Sequence, residues 1–135
     1  MLNETKFNFN SQVCTSKVQS ERLLALGLKK ETADMYWFNE SPYNSIDDWK
    51  CYTYGSDGSE DEIPAWSLGR LVCLMPSVLG DYTLCANSKM VGYFSSVGRG
   101  YSFDWFLREG EIFGNIIDCI EWLIKEGYFN KEYLE

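Results

Sequence analysis

"YTLCANSKMVGYFS", residues 82–95, is where the chain leaves helical spacing for strict alternation. Tyr82, Leu84 and Ala86 alternate with Thr83, Cys85 and Asn87; after an "NSK" turn, Met90, Gly92 and Phe94 alternate with Val91, Tyr93 and Ser95. Period two sends successive side chains to opposite faces of a strand, so the stretch predicts two strands joined by a tight turn. "GRG" at 98–100 supplies another turn, and Tyr101, Phe103, Trp105 and Leu107 supply a third alternation. An antiparallel meander with strands near 82–87, 90–96 and 101–107 is the economical arrangement.

Downstream the period returns to 3.6. Phe113, Ile116, Ile117, Ile120, Leu123 and Ile124 make one apolar stripe. Asn115, Asp118, Glu121 and Lys125 are expected to face away from it, and Gly127 to cap the helix end. A helix over 111–126 should therefore cover the inner face of the meander.

Upstream, Ser16 and Gln19 have the spacing of a capping box and open a helix over 16–26, with Val18, Leu23, Leu24 and Leu26 as its apolar positions. Gly27 stands where a left-handed cap belongs, with Leu28 placed to fold back on the last turn. "EDEIPAWSLGRLVCLMPS", residues 60–77, has the look of a site, because carboxylates stand beside a tryptophan. Its simpler parse is a helix entrance. Ser67 caps a helix over 67–75; Leu68, Leu71, Val72 and Met75 line one face, and Trp66 staples onto Leu71. Pro64 stiffens the approach, Glu60, Asp61 and Glu62 lie near the positive end of the helix dipole, and Pro76 stops the helix. Between these helices, Met35 to Phe38 suits a strand or a buried connector, and "DWKCYTYG" at 48–55 suits a strand pairing with it. "GSDGSEDE" is expected to be an exposed loop.

The expected fold is α+β: helices near 16–26, 67–75 and 111–126 packed on the antiparallel meander, with a short hairpin within 35–54 as a candidate extension of that sheet. The 135 residues, 45% hydrophobic, suffice for one core and predict a single globular domain over 1–135.

Composition narrows function. The formal charge is −8, from 12 basic and 20 acidic residues, which disfavours a nucleic-acid partner. The first residues lack a basic start followed by an apolar run, and no segment approaches ~18 apolar residues, so neither export nor a membrane span is expected. Five cysteines (14, 51, 73, 85 and 119), widely spaced and with no CxxC pair, fit a reducing, cytoplasmic setting. Cys73 and Cys119 fall within apolar helical repeats, where a thiol behaves as a small hydrophobe.

There is no histidine in the chain, which removes Ser-His and Cys-His nucleophile pairs, a neutral-pH imidazole base and His-containing zinc sites. Neither a phosphate-binding GxxxxGK[ST] nor a GxGxxG occurs. Asp47, Asp48, the acidic loop 57–62 and Asp104 remain as carboxylates for a hard cation or for acid–base work, but their spacing is not that of a calcium loop, and solvent-facing roles are simpler. No cofactor or metal is expected.

Aromatics are 16% of the chain, and Tyr36, Trp37, Phe38, Tyr43, Trp49, Tyr52 and Tyr54 crowd between 36 and 54. Either they complete the core beneath a long loop, or some stay exposed as anchors. Tyr43, Trp49 and Tyr52 are the candidate patch, for a protein or a small planar ligand. A non-catalytic interaction module is the leading expectation; the alternative is a small enzyme using carboxylates or a lone cysteine.

Two segments carry a resemblance. "CTSKVQSERLLALGLKKETADM" at 14–35 and "IPAWSL" at 63–68 resemble a group of small uncharacterised proteins of gut anaerobic bacteria and their phages or mobile elements. Such proteins carry a "QS..LL.LGL..ETADM" segment and later "PAWSL..L..L.P". The likeness spans roughly the first 75 positions. It brings no activity, cofactor or catalytic residue with it, and implies a cytoplasmic accessory role tied to mobile DNA.

Overall fold

A computed structural model of the chain describes residues 11–40, 48–53, 62–87, 90–95 and 111–135, together with the backbone of 106–107. The fold is α+β, with two separate antiparallel sheets and three α-helices among the described residues.

Helix α1, Lys17–Ala25, begins with both halves of the capping box: Gln19 N–H donates to Ser16 Oγ, and Ser16 N–H donates to Gln19 Oε1. It ends at Gly27, whose φ of +103° requires glycine, and Leu28 N–H folds back to the Leu23 carbonyl. Leu23 and Leu28 are buried together in the main core. Val18, expected on the apolar face, is instead 75% exposed, because the inward side of the first turn is taken by buried Ser20.

The first sheet joins β1 (Met35–Asn39), β2 (Trp49–Tyr52) and β3 (Glu62–Ala65) in the order β2-β1-β3. The β1–β2 hairpin was expected to extend the meander; it forms its own sheet, completed by a strand not foreseen. Pro64 disguises β3, yet proline is tolerated on an outer strand, which needs no complete hydrogen-bond ladder. The acidic residues were expected near a helix N-terminus, but Glu62 lies in β3 opposite Phe38, and 57–61 fall outside the described residues.

Helix α2, Leu68–Leu74, is capped by Ser67 as expected. Its buried side is Leu71, Leu74 and Met75, while Val72 and Cys73 are exposed. The helix stops at Leu74 and Met75 is extended, so the inward face is set by only two turns and rotates away from Val72. After Pro76 come β4 (Val78–Leu79) and β5 (Tyr82–Ala86), joined through Gly80 at φ +60° and Asp81, a two-residue turn with glycine first.

Strand β6 (Met90–Ser95) pairs with β5 in the register Leu84↔Tyr93 and Ala86↔Val91. Strand β7 (Phe106–Leu107) pairs with β6 and completes the order β4-β5-β6-β7. The rest of the expected third strand, 101–105, lies outside the described residues, as does Asp104.

Helix α3, Ile112–Glu126, covers the face of this sheet that carries Val91 and Tyr93. Phe113, Ile116, Ile117, Ile120 and Leu123 are buried, and Gly127 ends the helix at φ +78°. Asn115 was expected to face away, but it is fully buried: near its start the helix is enclosed on both sides. Cys119 is buried, and burial pushes its thiol up to about 12. Asp118 and Glu121 sit at the helix edge and meet Arg22 of α1, with Arg22 Nη2 at 2.8 Å from Asp118 Oδ1 and 3.3 Å from Glu121 Oε1.

This link makes a pH prediction. The hydrogen bond from Arg22 holds the Glu121 carboxyl below the usual carboxylate range. A folded pKa below the unfolded one contributes stability above the unfolded value, and that contribution is lost as pH falls through the folded one. Both partners touch water, so Arg22→Ala should cost only about 0.2–1 kcal/mol near pH 7. In urea unfolding at a series of pH values, the gap between wild type and variant should narrow as pH falls from about 6 towards 2.

Candidate functional site

Two groupings draw on the sequence features that resembled a site. The first surrounds Trp66, which is 0% exposed. Its indole N–H donates to Thr32 Oγ1 at 2.9 Å, and that hydroxyl donates onward to the Lys29 carbonyl at 2.7 Å. Its main chain is held by Thr15: Trp66 N–H donates to Thr15 Oγ1, and Thr15 N–H donates to the Trp66 carbonyl. Ser67 N–H and Oγ–H both donate to the Asp34 carboxylate, while Ser67 Oγ accepts from Arg70 N–H. Arg70 Nε donates to the Thr32 carbonyl.

Thus the "ETADM" segment, through Thr32 and Asp34, is tied directly to the "PAWSL" segment. Every polar atom in these contacts serves another part of the fold, and Trp66 joins Leu71 in the main core. The 60–77 stretch is an entrance and an anchor. The sequence gives no sign of Asp34 as the partner of Ser67, since 33 positions separate them and only the tertiary fold brings them together.

The second grouping is the first sheet. Antiparallel partners point to the same face, so the register sorts its side chains. Met35, Trp37, Cys51, Ala65 and Ile63 lie on the inner face, where Cys14, Met35 and Ala65 form a small buried cluster with Trp37 and Cys51 against it. The outer face holds two rows across the strands. One is Tyr52, Tyr36 and Pro64; the other is Lys50, Phe38 and Glu62.

The Tyr36 and Tyr52 rings stack with centroids 5.5 Å apart at 24°. Tyr36, Phe38, Tyr52 and Pro64 are half-buried, and among the described residues neither apolar cluster includes them. Lys50 Nζ reaches Glu40 at 3.4 Å and adds a charged margin.

The three residues proposed from sequence are divided by this geometry. Tyr43 lies outside the described residues. Trp49 and Tyr52 are three positions apart on one strand and therefore face opposite ways: Trp49 takes Lys17 Nζ over its ring at 4.4 Å, while Tyr52 stacks on Tyr36. Tyr52 is brought together with Tyr36 and Phe38 instead. Those two were visible in the aromatic run 36–38, and strand alternation is the signal that selects them over Trp37.

A cavity of about 510 Å³ opens where α1, α2 and α3 begin, lined by Gln12, Gln19, Leu68, Glu111 and Phe113 among others. Among the described residues, Glu111 is the one ionisable side chain lining it. Gln12 and Gln19 bond each other at 2.7 Å. The described lining therefore offers no pair of groups for acid–base work. Asp48 serves the β1–β2 connection, with its N–H donating to Asn39 Oδ1 and its carbonyl accepting from Glu40 N–H. Among the described residues, no helix is long and apolar enough to cross a membrane.

Comparison of the chain with protein-family models, with curated proteins and with solved structures finds no match.

Proposed function

We propose that the protein is a non-catalytic binding module whose contact surface is the outer face of the β2-β1-β3 sheet, and that its partner is another protein. The observation that carries this reading is the stacked, half-buried Tyr36–Tyr52 pair, set beside Phe38 and Pro64 and, among the described residues, outside both apolar clusters. Tyrosines of this kind are frequent interface anchors, because each offers a large rigid area at little entropic cost and keeps a hydroxyl for the rim. A sheet face is broad and shallow, which suits a protein surface better than a small molecule that needs enclosure. The Lys50–Glu40 pair and Glu62 supply the charged margin usual around such a centre.

The chemistry favours binding over catalysis. Burial raises the Cys14, Cys51 and Cys119 thiols above their ordinary value, the opposite of an activated nucleophile. The resemblance noted in the sequence adds a setting for the module, a cytoplasmic accessory of a phage or mobile element.

The test is differential capture. Immobilised wild type and a Tyr36→Ala/Tyr52→Ala variant are exposed to the same host lysate, with Trp49→Ala as the inner-face control. A protein retained by wild type and the control but lost from the double variant supports the reading; identical capture by all three contradicts it.

A further inference from the structure

Cys14 and Cys51 are 37 positions apart, with no motif to connect them, yet the fold gathers them into one small cluster. Cys51 lies opposite Trp37 on the inner face and packs against the cluster of Cys14, Met35 and Ala65. Cys14 and Cys51 therefore share one small inner-face cluster. Their surroundings are stiff: Cys14 bridges Ser67, and the neighbouring Thr15 is fixed by Trp66 N–H, the Trp66 carbonyl and the Trp37 indole, which donates to the Thr15 carbonyl at 2.9 Å. Two thiols held in one small, well-anchored cluster need little backbone movement to close.

We propose that Cys14 and Cys51 are a redox-operated cross-link, a dithiol under reducing conditions that closes to a disulfide in excess oxidised glutathione and ties the segment ahead of α1 to β2. Cys51 reacts first, because it is half-buried and Cys14 is buried. Its thiolate attacks one sulfur of the glutathione disulfide; that S–S bond breaks and a glutathione thiolate leaves. Cys14 then loses its proton to solvent, attacks the Cys51 sulfur and expels the second glutathione thiolate. The two cysteines lose two electrons, glutathione disulfide gains them, and the two released protons complete two glutathione thiols.

Burial holds both thiols above the ordinary range, so closure is slow at neutral pH and quickens by about tenfold per pH unit as the thiolate fraction grows. The cross-link does not depend on the outer aromatic face, since its sulfurs lie on the other side of the sheet.

The experiment uses the full chain with exposed Cys73 and Cys85 changed to serine. It is equilibrated over a series of ratios of reduced to oxidised glutathione, quenched in acid, alkylated and mapped by peptide mass. The expected result is a Cys14–Cys51 cross-linked peptide and a Tm raised by about 10 °C on closure, the size expected for closing a loop of this length in a chain of this size. Cys14→Ser should instead leave Cys51 as a stable glutathione adduct. The unsubstituted chain, mapped in the same way, must give the same pairing. A Cys51 adduct persisting while Cys14 is present, both thiols fully alkylated at every ratio, or Cys119 as the partner of either would overturn the proposal.

Discussion

Trp66→Ala is expected to cost about 3–5 kcal/mol of folding stability, the range for truncating a buried aromatic. Native domains hold only about 5–15 kcal/mol in total, so this single change removes a third or more of the margin. The loss has two sources. The indole is fully buried among core residues from all three helices and leaves a cavity behind it. Its N–H also fills Thr32 Oγ1, which keeps a donor role to Lys29 but loses its incoming bond.

Trp66→Phe separates the two sources, restoring much of the volume without the donor, and should cost about 1–3 kcal/mol. Urea unfolding of the three proteins decides the matter. A Trp66→Ala loss below about 1 kcal/mol would mean that the 60–77 stretch is not the anchor described here.

The second large effect is on binding. Once the captured partner is purified, Tyr36→Ala/Tyr52→Ala should weaken its affinity roughly thirtyfold or more, since centrally placed interface aromatics typically contribute 2 kcal/mol or above. The same variant should lose comparatively little stability, because both rings are half-buried and belong to neither apolar cluster among the described residues. That contrast separates an interface role from a structural one. Trp49→Ala, on the opposite face of β2, should leave affinity within about threefold of wild type, measured by titration calorimetry.

Local signals were legible where short-range chemistry dominates. The Ser16/Gln19 box, the left-handed glycines at 27 and 127 and the apolar stripe of α3 each depend on neighbours within about one or two turns, so the chain states them directly. The α+β class follows from the change of period at 82–95, matched by β5 and β6.

What escaped is what distant partners decide. β3 carries a proline and is a strand only because β1 accepts it, and the Ser67 cap is completed by Asp34 from another part of the chain. Asn115 is enclosed although its type and position suggested the surface. The separation of Trp49 from Tyr52 is a different matter: an odd spacing on a strand already forbids a common face, so that division was available from alternation alone.

The central claim is that the outer face of the β2-β1-β3 sheet meets a protein partner, and photo-crosslinking tests it most directly. A photoreactive phenylalanine analogue is placed at Phe38, in the middle of the outer face, and in a separate protein at Val18, exposed on α1. Each is irradiated with the captured partner. A covalent adduct from position 38 with none from position 18 is the predicted result; an adduct from 18 with none from 38 would contradict the account.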